Sequence, residues 1–110
     1  MTDKQIKQAY ATIPQYPERN EEQQKLYDEL SCRDMINSCL VYGESYNFYT
    51  PETGEFGMYA QRHIKKLGID TVIRLYNEQC EDFAKAIVKK NVHQDSEGVT
   101  YNSVIWADEQ

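Results

Sequence analysis

The stretch Asp70-Thr71-Val72-Ile73-Arg74-Leu75-Tyr76-Asn77-Glu78-Gln79-Cys80-Glu81-Asp82-Phe83-Ala84-Lys85-Ala86-Ile87-Val88-Lys89-Lys90-Asn91-Val92 carries the clearest pattern in this chain. Projected at about 100° per residue, Val72, Ile73, Tyr76, Cys80, Phe83, Ala84 and Ile87 fall within about one third of a helix circumference. Arg74, Glu78, Glu81, Lys85 and Lys89 lie away from them. The spacing predicts one amphipathic helix from a cap at Asp70 to about Val92. The Glu81 to Lys85 pair, in the favourable i,i+4 order, adds only tenths of a kcal/mol, so burial of the apolar stripe must supply most of its stability.

Working back toward the N-terminus, Gly68 stops a helical turn expected over Tyr59 to Leu67. Before it, Tyr46-Asn47-Phe48-Tyr49, the turn Pro51-Glu52-Thr53-Gly54 and the arm Phe56, Met58 and Tyr59 predict a hairpin over about 46–59. Asn20, followed by Glu21 and Glu22, starts another helix, where the two carboxylates complement the helix dipole. Its apolar residues form two sets about half a turn apart: Leu26, Tyr27 and Leu30, then Cys32, Met35, Ile36, Cys39 and Leu40. A fresh cap at Ser31-Cys32-Arg33-Asp34 predicts a break near Ser31, with Gly43 ending the later piece; a continuous helix buried on two sides is the alternative. Thr2 to Gln5 has the form of a capping box for a first helix to about Thr12, and Pro14 and Pro17 make the connector behind it. On the C-terminal side, His93 to Gly98 reads as a loop and Val99 to Trp106 as a strand that pairs with the hairpin. The expected fold is therefore α+β and mostly helical: one domain over 1–110, with three to five helices on a small antiparallel sheet formed by the hairpin (46–59) and the C-terminal strand (99–106).

At 110 residues the chain can bury a core without disulfide staples. No apolar run approaches the roughly 20 residues of a membrane span, and the N-terminus lacks an apolar signal core, so a cytoplasmic location is expected. Cys32, Cys39 and Cys80, an odd number in helical segments, read as reduced core thiols.

The residue types of catalysis are present without their spacing. The three cysteines with His63 and His93 make no CxxC or HxxxH pair, Gly54 and Gly57 precede no Lys-Ser or Lys-Thr, and Cys80 sits on the apolar stripe. No catalytic residue, metal or cofactor is assigned, and an enzyme whose site assembles from dispersed residues stays as a competing reading.

The net charge of −6 is concentrated in the first half of the chain and the C-terminal tail, which argues against general nucleic-acid affinity. Two surfaces carry the functional expectation of a non-enzymatic protein-binding module, an adaptor or inhibitor. One is the acidic set Glu18, Glu21, Glu22, Asp28, Glu29 and Asp34. The other is the aromatic hairpin with Tyr46, Phe48, Tyr49, Phe56 and Tyr59, because tyrosine, of which the chain has nine, is enriched at binding surfaces. The compact, acidic, tyrosine-rich composition is similar in character to small phage and mobile-element proteins that imitate nucleic acid, which implies a nucleic-acid-binding enzyme as partner. A nucleic-acid-associated protein is the alternative, with Arg62, Lys65 and Lys66 on phosphates and Tyr49 and Tyr59 stacking on bases. A homodimer through a surplus apolar face of Cys32 to Leu40 is the self-association the sequence allows.

Overall fold

A computed structural model describes residues 1–110. Four helices, α1 (Asp3–Ala11), α2 (Glu21–Val41), α3 (Gln61–Leu67) and α4 (Ile69–Phe83), pack with two separate two-stranded antiparallel sheets. The first sheet is β1 (Tyr49–Thr50) with β2 (Glu55–Phe56), and the second is β3 (Ile87–Gln94) with β4 (Thr100–Ile105). This is an α+β architecture. No helix is long and apolar enough to cross a membrane.

Thr2 caps α1 and Asn20 caps α2, each closing a capping box with the glutamine three residues on, Gln5 and Gln23. Both caps satisfy amides that have no partner inside the helix. The expected break near Ser31 is absent: α2 runs unbroken for 21 residues. Its two apolar sets serve two neighbours. On one side Tyr27 meets Tyr10 of α1 edge-on at 5.3 Å, with Leu30 and Ile6 buried nearby. On the other side Cys32, Ile36 and Cys39 join Val72, Leu75 and Tyr76 of α4 in the main core, together with Phe48 and Ala60. A helix sandwiched in this way has no need to break.

The long C-terminal helix expected over 70–92 ends at Phe83. Past it, Lys85 N–H bonds to Asp82 O and Ala86 N–H to Phe83 O, tighter i to i−3 bonds that unwind the helix. Ile87-Val88-Lys89-Lys90-Asn91-Val92 then enters β3, where its β-branched residues pair with β4, Val88 opposite Val104 and Ile87 opposite Ile105. The helical spacing of Ala84 and Ile87 was a coincidence of pattern; both are exposed. The C-terminal strand accordingly pairs with β3 rather than with the hairpin, which shrinks to two residue pairs flanked by 3-10 turns at Ser45–Asn47 and Met58–Ala60.

Asp70 lies in the first turn of α4 and does not cap it. Gly68 occupies that position, with φ of 84°, a conformation that favours glycine and lets the chain turn sharply from α3 into α4. The buried stripe of α4 is Val72, Leu75, Tyr76 and Gln79, turned by roughly 60° from the expected one on a projection of about 100° per residue. Gln79 explains the rotation. Its carboxamide is fully buried and saturated: Nε2 donates to Asn37 Oδ1 and Met1 O at 2.7 Å each, and Oε1 accepts from Arg33 and the Met1 amine at 2.8 Å each. Asn37 passes the network on to Asp3 at 3.0 Å, and the Trp106 indole closes it on the other Asp3 oxygen at 2.9 Å.

Candidate functional site

The recess that gathers the most hydrophobic side chains is a groove of about 420 Å³ bounded by Met35, Ser38, Cys39, Tyr42, Glu44, Tyr59 and Val99. Three elements build it. Residues 35, 38, 39 and 42 share one side of the C-terminal half of α2, as their i, i+3, i+4, i+7 spacing requires.

The second wall is the 3-10 turn that carries Tyr59. Gly57 donates its N–H to Phe48 O at 3.0 Å, and a Cβ at Gly57 would sit 2.0 Å from Asn47 O. Only glycine permits that approach, and it holds the turn against the fold so that Tyr59 reaches the groove. Met58 beside it is 73% exposed.

The third wall is the β3–β4 turn carrying Val99. Asp95 organises that turn, its Oδ1 accepting from Glu97 N–H at 2.9 Å and Val99 N–H at 3.0 Å. The Val99 amide above all, with that of Glu97 adding to it, holds its carboxyl below the usual range against the opposing effect of burial. Its other oxygen accepts from the Tyr42 hydroxyl at 3.2 Å, tying the turn to α2.

A smaller recess of about 250 Å³ adjoins the groove and shares Ser38 and Tyr42 with it; its other walls are Asp3, Asp34, Asn37 and Val41. Asp34 makes no hydrogen bond or ion pair within the chain, and burial first, then the Asp3 charge, raises its pKa. A larger hollow of about 480 Å³ runs along Asn20, Glu22, Gln23, Lys25, Leu26 and Glu29. All six belong to one helix and its cap, so it is the gap between side chains of α2 and not a cleft between elements.

The two surfaces expected from the sequence divide in the structure. Glu18, Glu21 and Glu22 are exposed without an ion-pair partner in the chain. Asp28 pairs with Lys66 at 3.8 Å and Glu29 with Arg74 at 3.0 Å. Asp34 lies on the opposite side of α2, by its position at about 100° per residue, so the six carboxylates do not form one face. Among the aromatics, Phe48 is a core residue, fully buried with its ring centroid 6.0 Å from both His63 and Tyr76. Tyr49 and Phe56 cover that core, 4.7 Å apart. Tyr46 and Tyr59 remain available, at 61% and 41% exposure, and only Tyr59 lines the groove. In the basic strip, Arg62 reaches Ser31 at 3.4 Å, Lys66 is engaged with Asp28, and Tyr49 is turned into the core, which leaves Lys65 and Tyr59 free.

The dispersed catalytic candidates are not gathered. His63 is buried in the core beside Phe48, His93 stacks on Tyr101 at 5.3 Å, and Cys80 lies in a tyrosine-lined recess with Tyr46, Tyr49 and Tyr76. No cluster of three or more His, Cys, Asp or Glu stands in metal-binding geometry. Burial pushes the Cys32 thiol up to about 12 and the Cys39 thiol up to about 11, and raises Cys80 as well.

The groove residues Met35, Ser38, Cys39, Tyr42, Glu44 and Val99 stood outside both expected surfaces. The surplus apolar positions Met35 and Cys39 were the signal for them, but their partners Tyr59 and Val99 come from distant segments. No family model matches the chain, and no curated protein or solved structure shows significant similarity to it.

Proposed function

We propose that the chain is a non-enzymatic protein-binding module that docks its partner in the groove between α2, the Met58–Ala60 turn and the β3–β4 turn. The observation that carries this reading is the groove itself: Met35, Cys39, Tyr42, Tyr59 and Val99 converge from three elements on an open apolar recess. Tyr59 and Val99 remain 41% and 43% exposed, and burying such side chains against a partner is worth about 25 cal/mol per Å² of apolar area. A non-enzymatic role is supported by the burial that holds all three thiols against ionisation.

The acidic surface gives weaker support to nucleic-acid mimicry. With Asp28 and Glu29 engaged by the chain's own cations, Glu18, Glu21 and Glu22 are what remains to imitate a phosphate row.

Affinity capture with the parent chain and with a Tyr59→Ser, Val99→Ser double variant tests the docking surface. The parent is expected to retain a defined protein that the variant, folded to the same circular dichroism spectrum, loses. Equal retention by both places the docking surface elsewhere.

A further inference from the structure

The groove and the recess beside it are separated only by the ridge of Ser38 and Tyr42, and they differ in chemistry. We infer that the occupant is an extended segment of a partner protein that crosses α2 over Ser38, with an apolar side chain in the groove and an arginine or lysine on Asp34 and Asp3. This deepens the docking reading above and rests on it.

Ser38 is exposed and small, so it forms a saddle across which a backbone passes closely. On one side lie Met35, Cys39 and Tyr59; on the other lie two carboxylates. Asp3 is pinned, its oxygens accepting from Asn37 at 3.0 Å and Trp106 at 2.9 Å. Asp34 has no cation of its own, and no lysine or arginine lines either recess. Glu44 on the groove wall and Asp95 and Glu97 in the neighbouring turn extend the negative potential. Asp34 and Asp3 both keep their carboxylates open to solvent, so a cation can reach the pair and relieve its like-charge repulsion, and arginine can hold a carboxylate through two parallel hydrogen bonds.

The two recesses lie on either side of one helix. In an extended chain, side chains two positions apart point the same way at about 6.7 Å separation, and the reach of an arginine covers the rest of the distance. The recognised pattern is therefore an apolar residue and a basic residue separated by one position. A second copy of this chain offers Ile87 and Lys89 in that pattern on β3, both exposed. Each copy carries a charge of −6, however, and strand-in-groove docking between identical chains is head-to-tail, so a partner of opposite charge is favoured.

Phage-displayed random seven-residue peptides selected on the immobilised full chain test this, with Asp34→Asn and Ser38→Arg variants in parallel. Ser38→Gln replaces the arginine variant if that one fails to give the parent's thermal melt. Enriched sequences are expected to pair an apolar residue with arginine or lysine two positions away. A synthetic peptide of that sequence should bind Asp34→Asn about five-fold more weakly and lose binding to Ser38→Arg. Enrichment of apolar peptides without a basic residue, bound equally by Asp34→Asn, overturns the inference and leaves the docking reading standing. Peptides that bind the Ser38 variant as they bind the parent, or no enrichment at all, overturn both. Sedimentation showing self-association of the parent that the Ser38 variant lacks makes the occupant a second copy and also overturns the inference.

Discussion

Gln79 of α4 donates a 2.7 Å hydrogen bond to Asn37 of α2, and both side chains are fully buried. Two amides at the centre of a helix–helix contact fix the rotation of α4 about its axis, since a shift that kept the apolar contacts would strand them. Gln79→Ala leaves Asn37, Arg33 and the Met1 carbonyl short of partners, and urea unfolding should show a loss of about 2–4 kcal/mol. A double-mutant cycle with Asn37→Ala should return a coupling of about 1 kcal/mol or more. Additivity of the two losses would show that the amides do not act as a pair.

The 2.0 Å approach expected of a Cβ at Gly57 to Asn47 O makes Gly57→Ala a test of how the groove is held. The turn carrying Tyr59 must shift, at a cost of about 1–3 kcal/mol. Thermal melts should show the loss, and partner or peptide binding should fall with it. A fully stable Gly57→Ala protein that binds like the parent would detach the position of Tyr59 from function.

His63 is buried with its Nε2 lacking any hydrogen-bond partner. Burial first, then the Arg62 and Lys66 charges on its own helix, lower its pKa below the ordinary 6.5, against the opposing pull of Asp28 from α2. Its neutral form is the one the fold accepts, so the unfolded chain takes up the proton more readily. The associated stability is complete above pH 6.5 and is lost as pH falls from there through the depressed folded value. His63→Leu should remove this loss and raise stability by about 1 kcal/mol at pH 6, read from urea midpoints over a pH series. The same slope in parent and variant would assign the acid sensitivity to another group.

Asp34 has the opposite sign. Its pKa is raised, by burial and then by Asp3, so the charged form is disfavoured in the fold and stability declines as pH rises through the raised value. Asp34→Asn should therefore give a slightly higher Tm at neutral pH while weakening the cationic peptide. A variant that loses stability and binding together would make Asp34 a structural residue.

Local chemistry made much of the fold legible. The boxes Thr2 to Gln5 and Asn20 to Gln23, the turn before Gly54 and the stop at Gly68 are all set by neighbours within a few residues. What sequence concealed depends on distant partners. Ile87 continues a helical stripe as well as it begins a strand, and only pairing with Ile105 decides between them. Gln79 looks like a surface residue until Asn37 and Arg33 meet it. The charges of Asp28 and Glu29 were visible, but their neutralisation by Lys66 and Arg74 was not, and the groove needs Tyr59 and Val99 brought to Met35 from far along the chain.

Hydrogen–deuterium exchange of the chain alone and saturated with its captured partner tests the docking surface most directly. New protection is expected in Met35 to Tyr42 of α2, around Tyr59 and around Val99, with the N-terminal half of α2 unchanged. Protection confined to Glu18 to Glu29 would contradict the groove and return the function to the acidic surface.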